Sequence, residues 1–494
     1  MGRSLIALAL VPGVALAAPA FEPVDIAPHI YSGGWEHFVG GGVAVFDCNG
    51  DALPEIVAAG GESPMALYLN RSGDGVAFEP GAMPKMTGAT GAYPLDFDND
   101  GEMDLAVLRV GANVLLKGLG DCAFEDVTGD HSFGVPDRWS TAFSATWEAG
   151  AAWPSMAVGN YVDRTDPDGP FEACDVNELH RPSRSGTYEI RELDPGFCAL
   201  SMLFSDWARS GTQDLRISHD RHYYVSGGSE QMWAMPQLTL RDGDGFKPIS
   251  IWGMGIASQD ITGDGRPEVV LTSMGDQLMQ IASAQGYSAA RFEIGTYAQK
   301  PYTGGDGRPS TGWHAQFGDV NNDGLDDLFI AKGNVDQMPG MATKDPNNLL
   351  IQNAKGRFDE RGDVAGIASL KRGRGAGLAD FDGDGRLDLV VVNRRAPMEV
   401  YRNVTPDAGN WVGVDLRQPG ANTHAVGAWV ELKLDARVIA REVTVGGGHV
   451  SGQAMPLHWG LGNAEEAELR VIWPGGETSD WHVFEAGQVH RIMR

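Results

Sequence analysis

The chain of 494 residues is short of cysteine, of positive charge and of long apolar runs, and each shortage removes a class of protein. Past the first twenty residues no stretch approaches the ~18 apolar residues at which a membrane-spanning helix becomes plausible. Against 66 Asp and Glu there are 38 Lys and Arg, a net charge of −28, and the basic residues are scattered. Nucleic acid is therefore not an expected partner, because phosphate backbones need clustered cations. No Ser-His-Asp order, His-Glu-x-x-His zinc spacing, phosphate loop or dinucleotide fingerprint occurs. The four cysteines, Cys48, Cys122, Cys174 and Cys198, are an even number and permit disulfides in an exported chain. Of the three possible pairings we favour Cys174 with Cys198, closing a long insertion, and Cys48 with Cys122, linking the first two repeats.

What is present begins with an export signal. Residues 1–20 carry Arg3, an apolar stretch from Leu5 to Ala17 too short to cross a bilayer, and small residues at Ala15-Leu-Ala17 and Ala18-Pro-Ala20. This pattern predicts a cleaved signal peptide and a secreted or periplasmic protein. Glycine is abundant, 67 residues without a collagen period, which points to many turns and an all-β architecture.

The stretch Asp380-Phe-Asp-Gly-Asp-Gly-Arg-Leu-Asp388, followed by Leu389-Val-Val-Val392, sets Asp380, Asp382, Asp384 and Asp388 around a tight turn ahead of a strand. Hard oxygen ligands at positions 1, 3, 5 and 9 of such a loop suit Ca²⁺ better than Mg²⁺, which demands stricter octahedral geometry. The pattern recurs as Asp47, Asn49, Asp51 and Glu55; as Asp96, Asp98, Asp100 and Asp104; as Asp260, Thr262, Asp264 and Glu268; and as Asp319, Asn321, Asp323 and Asp327. Two weaker copies lie between the second and third of these. Asp206 and Asp214 survive around Ala208, and the unit at Trp147 to Ser155 has lost the ligand positions but keeps the strand that follows. Crowded carboxylates repel unless a cation offsets them, so several structural Ca²⁺ ions are expected.

The seven loops start 49 to 61 residues apart, which fits a seven-bladed β-propeller over residues 21–405, since blades recur at about 40 to 50 residues. From Pro406 short alternating strands replace the loops: Trp411 to Leu416, Val426 to Leu434, Val438 to Val445, Leu469 to Trp473 and Val489 to Ile492. They predict a small, β-sandwich-like domain over 406–494. Three segments exceed the plain repeat: Tyr161 to Leu200, Ile217 to Tyr224 with His219, His222 and Tyr223, and Gly304 to His314 with Trp313.

The repeats resemble the FG-GAP or VCBS-type calcium repeats of integrin α-subunit propellers. The tail resembles an ASPIC/UnbV domain through Asn410-Trp411, Gly427-Ala428, Arg441-Glu442-Val443, Gly446-Gly447, Ser451, His458-Trp459-Gly460-Leu461-Gly462 and Trp473-Pro474-Gly475-Gly476. Together they are similar to bacterial members of the cartilage acidic protein family. The resemblance implies an extracellular calcium-binding propeller with no catalytic residues to carry over. The chain departs from it in the third and fourth units and at Ala52, where the turn glycine is expected. The function expected is binding or adhesion, a rim or the central channel recognising a protein or glycan. The alternative is a lyase-like enzyme acting on polysaccharide, with its pocket near 217–224 and 304–314.

Overall fold

Among the described residues six antiparallel meanders of four strands and a seventh of three follow one another along the chain, and each places one sequence repeat between its first and second strands. In this computed structural model residues 18–134, 137–184, 186–223, 227–243, 245–297, 299–336 and 338–494 are described. The signal-peptide reading falls almost wholly on residues 1–17, outside the described residues, as does Tyr224.

The first sheet comprises Val43–Phe46, Glu55–Ala58, Ala66–Asn70 and Phe78–Gly81. The units that have lost ligands fold alike: Arg138–Thr146 and Ser155–Asn160 flank the loop at 147, and Ala199–Ser205 and Asp214–His219 flank the loop at 206. First strands are buried along most of their length and rich in Gly, Ala and Ser, as in Gly253–Gln259 and Arg372–Ala379, because they crowd around a common axis. Each packs on the first strand of the next sheet, and Arg372–Ala379 returns to Val43–Phe46, closing a ring. The closure is hydrogen-bonded: Phe21–Val24, from the start of the described chain, pairs with Glu399–Asn403 and supplies the fourth strand of the seventh sheet.

Both favoured disulfides are present. Cys48–Cys122 joins the first two sheets and Cys174–Cys198 closes the long insertion of the third. Among the described residues no helix is long and apolar enough to cross a membrane.

The C-terminal part has two sheets around one core. Leu457–Gly462, Asn410–Arg417 and Gln488–Met493 form the first. Arg437–Glu442, Trp429–Leu434, Glu466–Ile472 and His482–Glu485 form the second. Val412, Val430, Leu432, Trp459 and Leu469 are buried between them. The sequence reading missed the strands at 457 and 482 and carried the strand at 438 to Val445, where it ends at Glu442.

Residues 445–454 leave this sandwich and enter the axis of the ring. Val445 pairs with Ala145, Gly446 with Leu203 and Gly448 with Ile256. The segment turns at His449 and Val450, and Gly452–Ala454 then runs back parallel to Val43–Phe46. Ser451 accepts from the Val43 N–H, and Gln453 exchanges amide hydrogen bonds with Gln316. The channel expected to be open to a partner is thus filled by the chain itself.

Candidate metal loops and axial cavity

The five acidic loops share one geometry, built by the carboxylate at position 1. It accepts N–H groups from the turn ahead: Asp380 Oδ1 from Gly383 and Asp384, and Oδ2 from Gly385 at 2.7 Å. Asp47, Asp96, Asp260 and Asp319 do the same in their loops. Such a turn needs left-handed backbone at positions 4 and 6. Position 6 is Gly101, Gly265, Gly324 or Gly385, but Ala52 takes it in the first loop with φ 69°. Position 4 is Gly50, Asn99, Gly263, Asn322 or Gly383, all at positive φ. That Gly/Asn choice was a readable signal that the sequence reading did not use.

The carboxylate at position 9 ties the loop to its sheet. Asp388 accepts from Phe381 N at 2.9 Å and from Asn403 N at 2.7 Å, the latter at the end of the third strand. Glu55, Asp104, Glu268 and Asp327 repeat the arrangement. The third strand then reaches the preceding blade: Asn403 Nδ2 donates to Val320 O, Gln352 Nε2 to Ile261 O and Asn70 Nδ2 to Phe381 O. A loop held rigid therefore fixes both its own sheet and the next.

Charge is concentrated in these loops. Oxygens of Asp96, Asp98 and Asp104, and of Asp380, Asp382 and Asp388, lie within 4.8 Å of one another. Asp104, Glu268, Asp319, Asp327 and Asp388 are buried. Burial, reinforced by the neighbouring carboxylates, pushes Asp104 and Glu268 up to about 8 and Glu55 up to about 7. It also pushes Asp260 and Asp380 up to about 6 and raises Asp319, Asp327 and Asp388 well above the usual range. Asp382 Oδ1 is buried without a hydrogen-bond partner among the described residues. Protein cations offset part of the charge: Lys117 contacts Asp98 and, at 2.6 Å, Asp100, while Arg402 reaches Asp382 at 2.7 Å. In the loops at 47 and 319 the amides of Asn49 and Asn321 donate to neighbouring carboxylates; an amide flip would turn an oxygen inward. Thr262 is exposed. The hard-oxygen set, the burial and the uncompensated charge fit a divalent cation of the Ca²⁺ type.

The two degenerate units show what replaces that charge balance. In the fourth, Asp206 keeps its turn through Ser210 and Gly211, but Asp214 is taken by Arg241 through both oxygens and by the Trp207 indole. In the third, Glu148 accepts from Arg181 and from Ser155, which stands at position 9.

The C-terminal sandwich covers the rim that carries these loops. Thr423 bonds Asp96, Ala440 N donates to Asp260 Oδ2, and Arg441 pairs with Asp326 at 2.5 Å. His458 contacts Gly385 O, and Arg209 pairs with Glu431 and stacks on Trp429. Burial pushes His449 down to about 3 and His314 and His458 down to about 4, so all three are neutral in the assembled protein.

At the opposite rim, where the first strands begin, a cavity of about 70 Å³ closes the axis. His222, Tyr223 and Trp313 line it together with Phe38, Trp139, Tyr161 and Asp220. His219 points away, to Ser229 O and Asn177, and His314 faces the filled channel. The rest of the 304–314 segment stays outside, with Arg308 paired to Asp306 at 2.6 Å. Sequence reasoning missed Tyr161 and Asp220, which no local motif marks.

Family models match at both ends of this description: an FG-GAP-like repeat over residues 47–107 and 319–391, and ASPIC and UnbV over 418–494. The chain carries FG-GAP-like repeats and an ASPIC/UnbV domain, and it is a distant relative of the cartilage acidic proteins. Cartilage acidic protein 1 of Xenopus tropicalis is 32% identical over 136 residues, 26% of this chain and 20% of that one. The Mus musculus protein is 24% identical over 231 residues, 46% and 34% of the two chains. The chain thus spans about a third or less of those relatives' length. Among solved structures, BBS1N in complex with ARL6DN overlaps with a TM-score of 0.47 at 10% identity, covering 78% of this chain and 97% of that one. The Dos1 propeller gives 0.38 at 10% identity, covering 76% and 94%.

Proposed function

We propose that this FG-GAP protein is an exported, calcium-stabilised propeller that acts as a binding module for a protein or glycan. The observation that carries the calcium reading is the loop at 319, where Asp319 and Asp327 are fully buried beside Asp323. Exported loops meet abundant Ca²⁺, and binding to the folded state alone stabilises it by mass action. The two disulfides suit an oxidising compartment. With one rim covered by the sandwich and the channel filled, the partner is received on the opposite rim, where the 161–176 and 304–311 segments stand. A polysaccharide-active enzyme is the weaker reading: Tyr161, Asp220 and His222 converge, but about 70 Å³ is far below the roughly 300–1,000 Å³ of ordinary ligand pockets.

The test has two arms. Melting with millimolar Ca²⁺ against a chelator should show stabilisation by calcium; equal midpoints overturn the metal. Capture from envelope extract and binding to a glycan panel should be lost in Arg164→Glu with Arg308→Glu; capture that ignores those changes overturns the placement on that rim.

A further inference from the structure

The axial cavity contains a buried carboxyl, pushed up to about 7 by desolvation, with no cation among the described lining residues to hold it ionised. Asp220 is 3% exposed. One of its oxygens accepts from the Tyr161 hydroxyl at 2.5 Å, while Oδ1, also buried, has no partner among the described residues. Among the described residues no lysine or arginine lines the cavity, and burial lowers the pKa of His222 at its mouth. Buried carboxylates are ordinarily paired with a cation or bound to metal.

The walls around Asp220 are aromatic. Trp139 meets Tyr161 at 4.9 Å between ring centroids, and Tyr161 meets Tyr223 at 5.9 Å, each edge to face. Trp313 carries Arg374 at 4.1 Å, while Trp139 also meets Trp35 and Tyr223 also meets Phe171 and His222. Besides Asp220 Oδ1, the lining atoms Trp139 Nε1 and His222 Nδ1 are buried without a hydrogen-bond partner among the described residues, so the site is polar as well as aromatic. The volume, about 70 Å³, is roughly five times the 10–15 Å³ that holds one water, so it admits about five heavy atoms.

We propose that this cavity binds a small alkylated ammonium ion, surrounded by the rings of Trp139, Tyr161 and Tyr223 and neutralised by Asp220. Aromatic faces attract such cations through their quadrupole, most strongly where water is excluded. The carboxylate supplies the opposite charge, and the half-buried His222 and Tyr223 form the entrance. The assignment rests neither on calcium nor on a macromolecular partner.

Titration of the full-length protein with tetramethylammonium chloride, followed by tryptophan fluorescence and calorimetry at constant ionic strength, tests it. The ion should bind saturably, and tert-butanol, neutral and of the same heavy-atom count, should bind at least tenfold more weakly. Asp220→Asn should weaken the ion at least tenfold, and Tyr223→Leu, at the entrance, several-fold with an unchanged melting temperature. Should Asp220→Asn not fold, the contrast between ion and alcohol on the unaltered protein decides. Absence of saturable binding, equal binding of the alcohol, or a folded Asp220→Asn of full affinity each overturns the proposal. So does cosedimentation with phosphatidylcholine vesicles without affinity for the free ion, which would assign the site to a lipid headgroup.

Discussion

Ala52 is the one non-glycine at position 6 among the five acidic loops, and it stands at φ 69° where its counterparts are Gly101, Gly265, Gly324 and Gly385. A Cβ in left-handed backbone costs about 1–2 kcal/mol, because it crowds the following carbonyl. Glycine would remove that cost but loses more freedom on folding, by roughly 0.4–1 kcal/mol. Ala52→Gly is therefore expected to stabilise the protein by about 0.5–1 kcal/mol, read as a shift of the urea midpoint at constant slope. Any destabilisation would show that the first loop is held by something other than this turn. The converse site is Gly385, at φ 84°, where a Cβ would run into the Trp411 indole of the C-terminal sandwich. That glycine is required both by its turn and by the docking of the domain, and only the first requirement could be read from the sequence.

At the level of the loop and its sheet, the free energy of the acidic clusters depends on protons wherever metal is withheld. Folding raises Glu55 to about 7 and Asp104 and Glu268 to about 8, mainly by desolvation, against ordinary values near 4. The metal-free folded state then holds more protons than the unfolded chain between about pH 4 and 8, so its stability falls as pH rises through that window. With chelator present the melting temperature should drop from pH 5 to pH 8, and millimolar Ca²⁺ should abolish the drop; a chelated protein at least as stable at pH 8 would exclude this charge balance. The loops were the most legible part of the chain, because nine adjacent residues specify both the turn and the carboxylate that closes it. The third and fourth units stayed visible through their strands, although Glu148–Arg181 and Asp214–Arg241 balance charge there through pairs that only the fold brings together. The axial cavity was half legible: His222, Tyr223 and Trp313 stood out as candidates, whereas Asp220 and Tyr161 meet across 59 residues of chain.

Over the whole molecule, the least legible feature is the segment from Val445 to Ala454, recognisable as a family motif but not as a plug, because its partners lie up to 409 residues away. His449 Nε2 accepts from Gly40 N, its N–H donates to His314, and Ser451 serves Val43. It fits only because the chain is bare where it passes. A Cβ on Gly91 would lie 2.7 Å from the Val450 side chain, and one on Gly448, at φ 58°, would lie 2.5 Å from His314 Nδ1. With the plug in place, the first strands are buried along most of their length, and Ser144 and Gln316 bond Val445 and Gln453 inside the ring. Without it, that lining would face an unfilled channel, a loss of packing that cores tolerate poorly. The propeller and the sandwich are therefore expected to unfold as one unit, giving a single calorimetric transition for the full chain. A chain ending at residue 405 should melt at least 10 °C lower or fail to fold. Gly448→Val separates the plug from the docked sandwich: it leaves every rim contact in place but strains the backbone and crowds His314, and should cost about 3 kcal/mol or more, in the range of buried overpacking with a forbidden φ. Gly475→Ala, at φ 95° with open space around its Cβ, bears the backbone strain alone and should cost about 1–2 kcal/mol. Equal losses in the two variants, or two independent transitions in the full chain, would mean that the segment lies in the channel without holding the ring together.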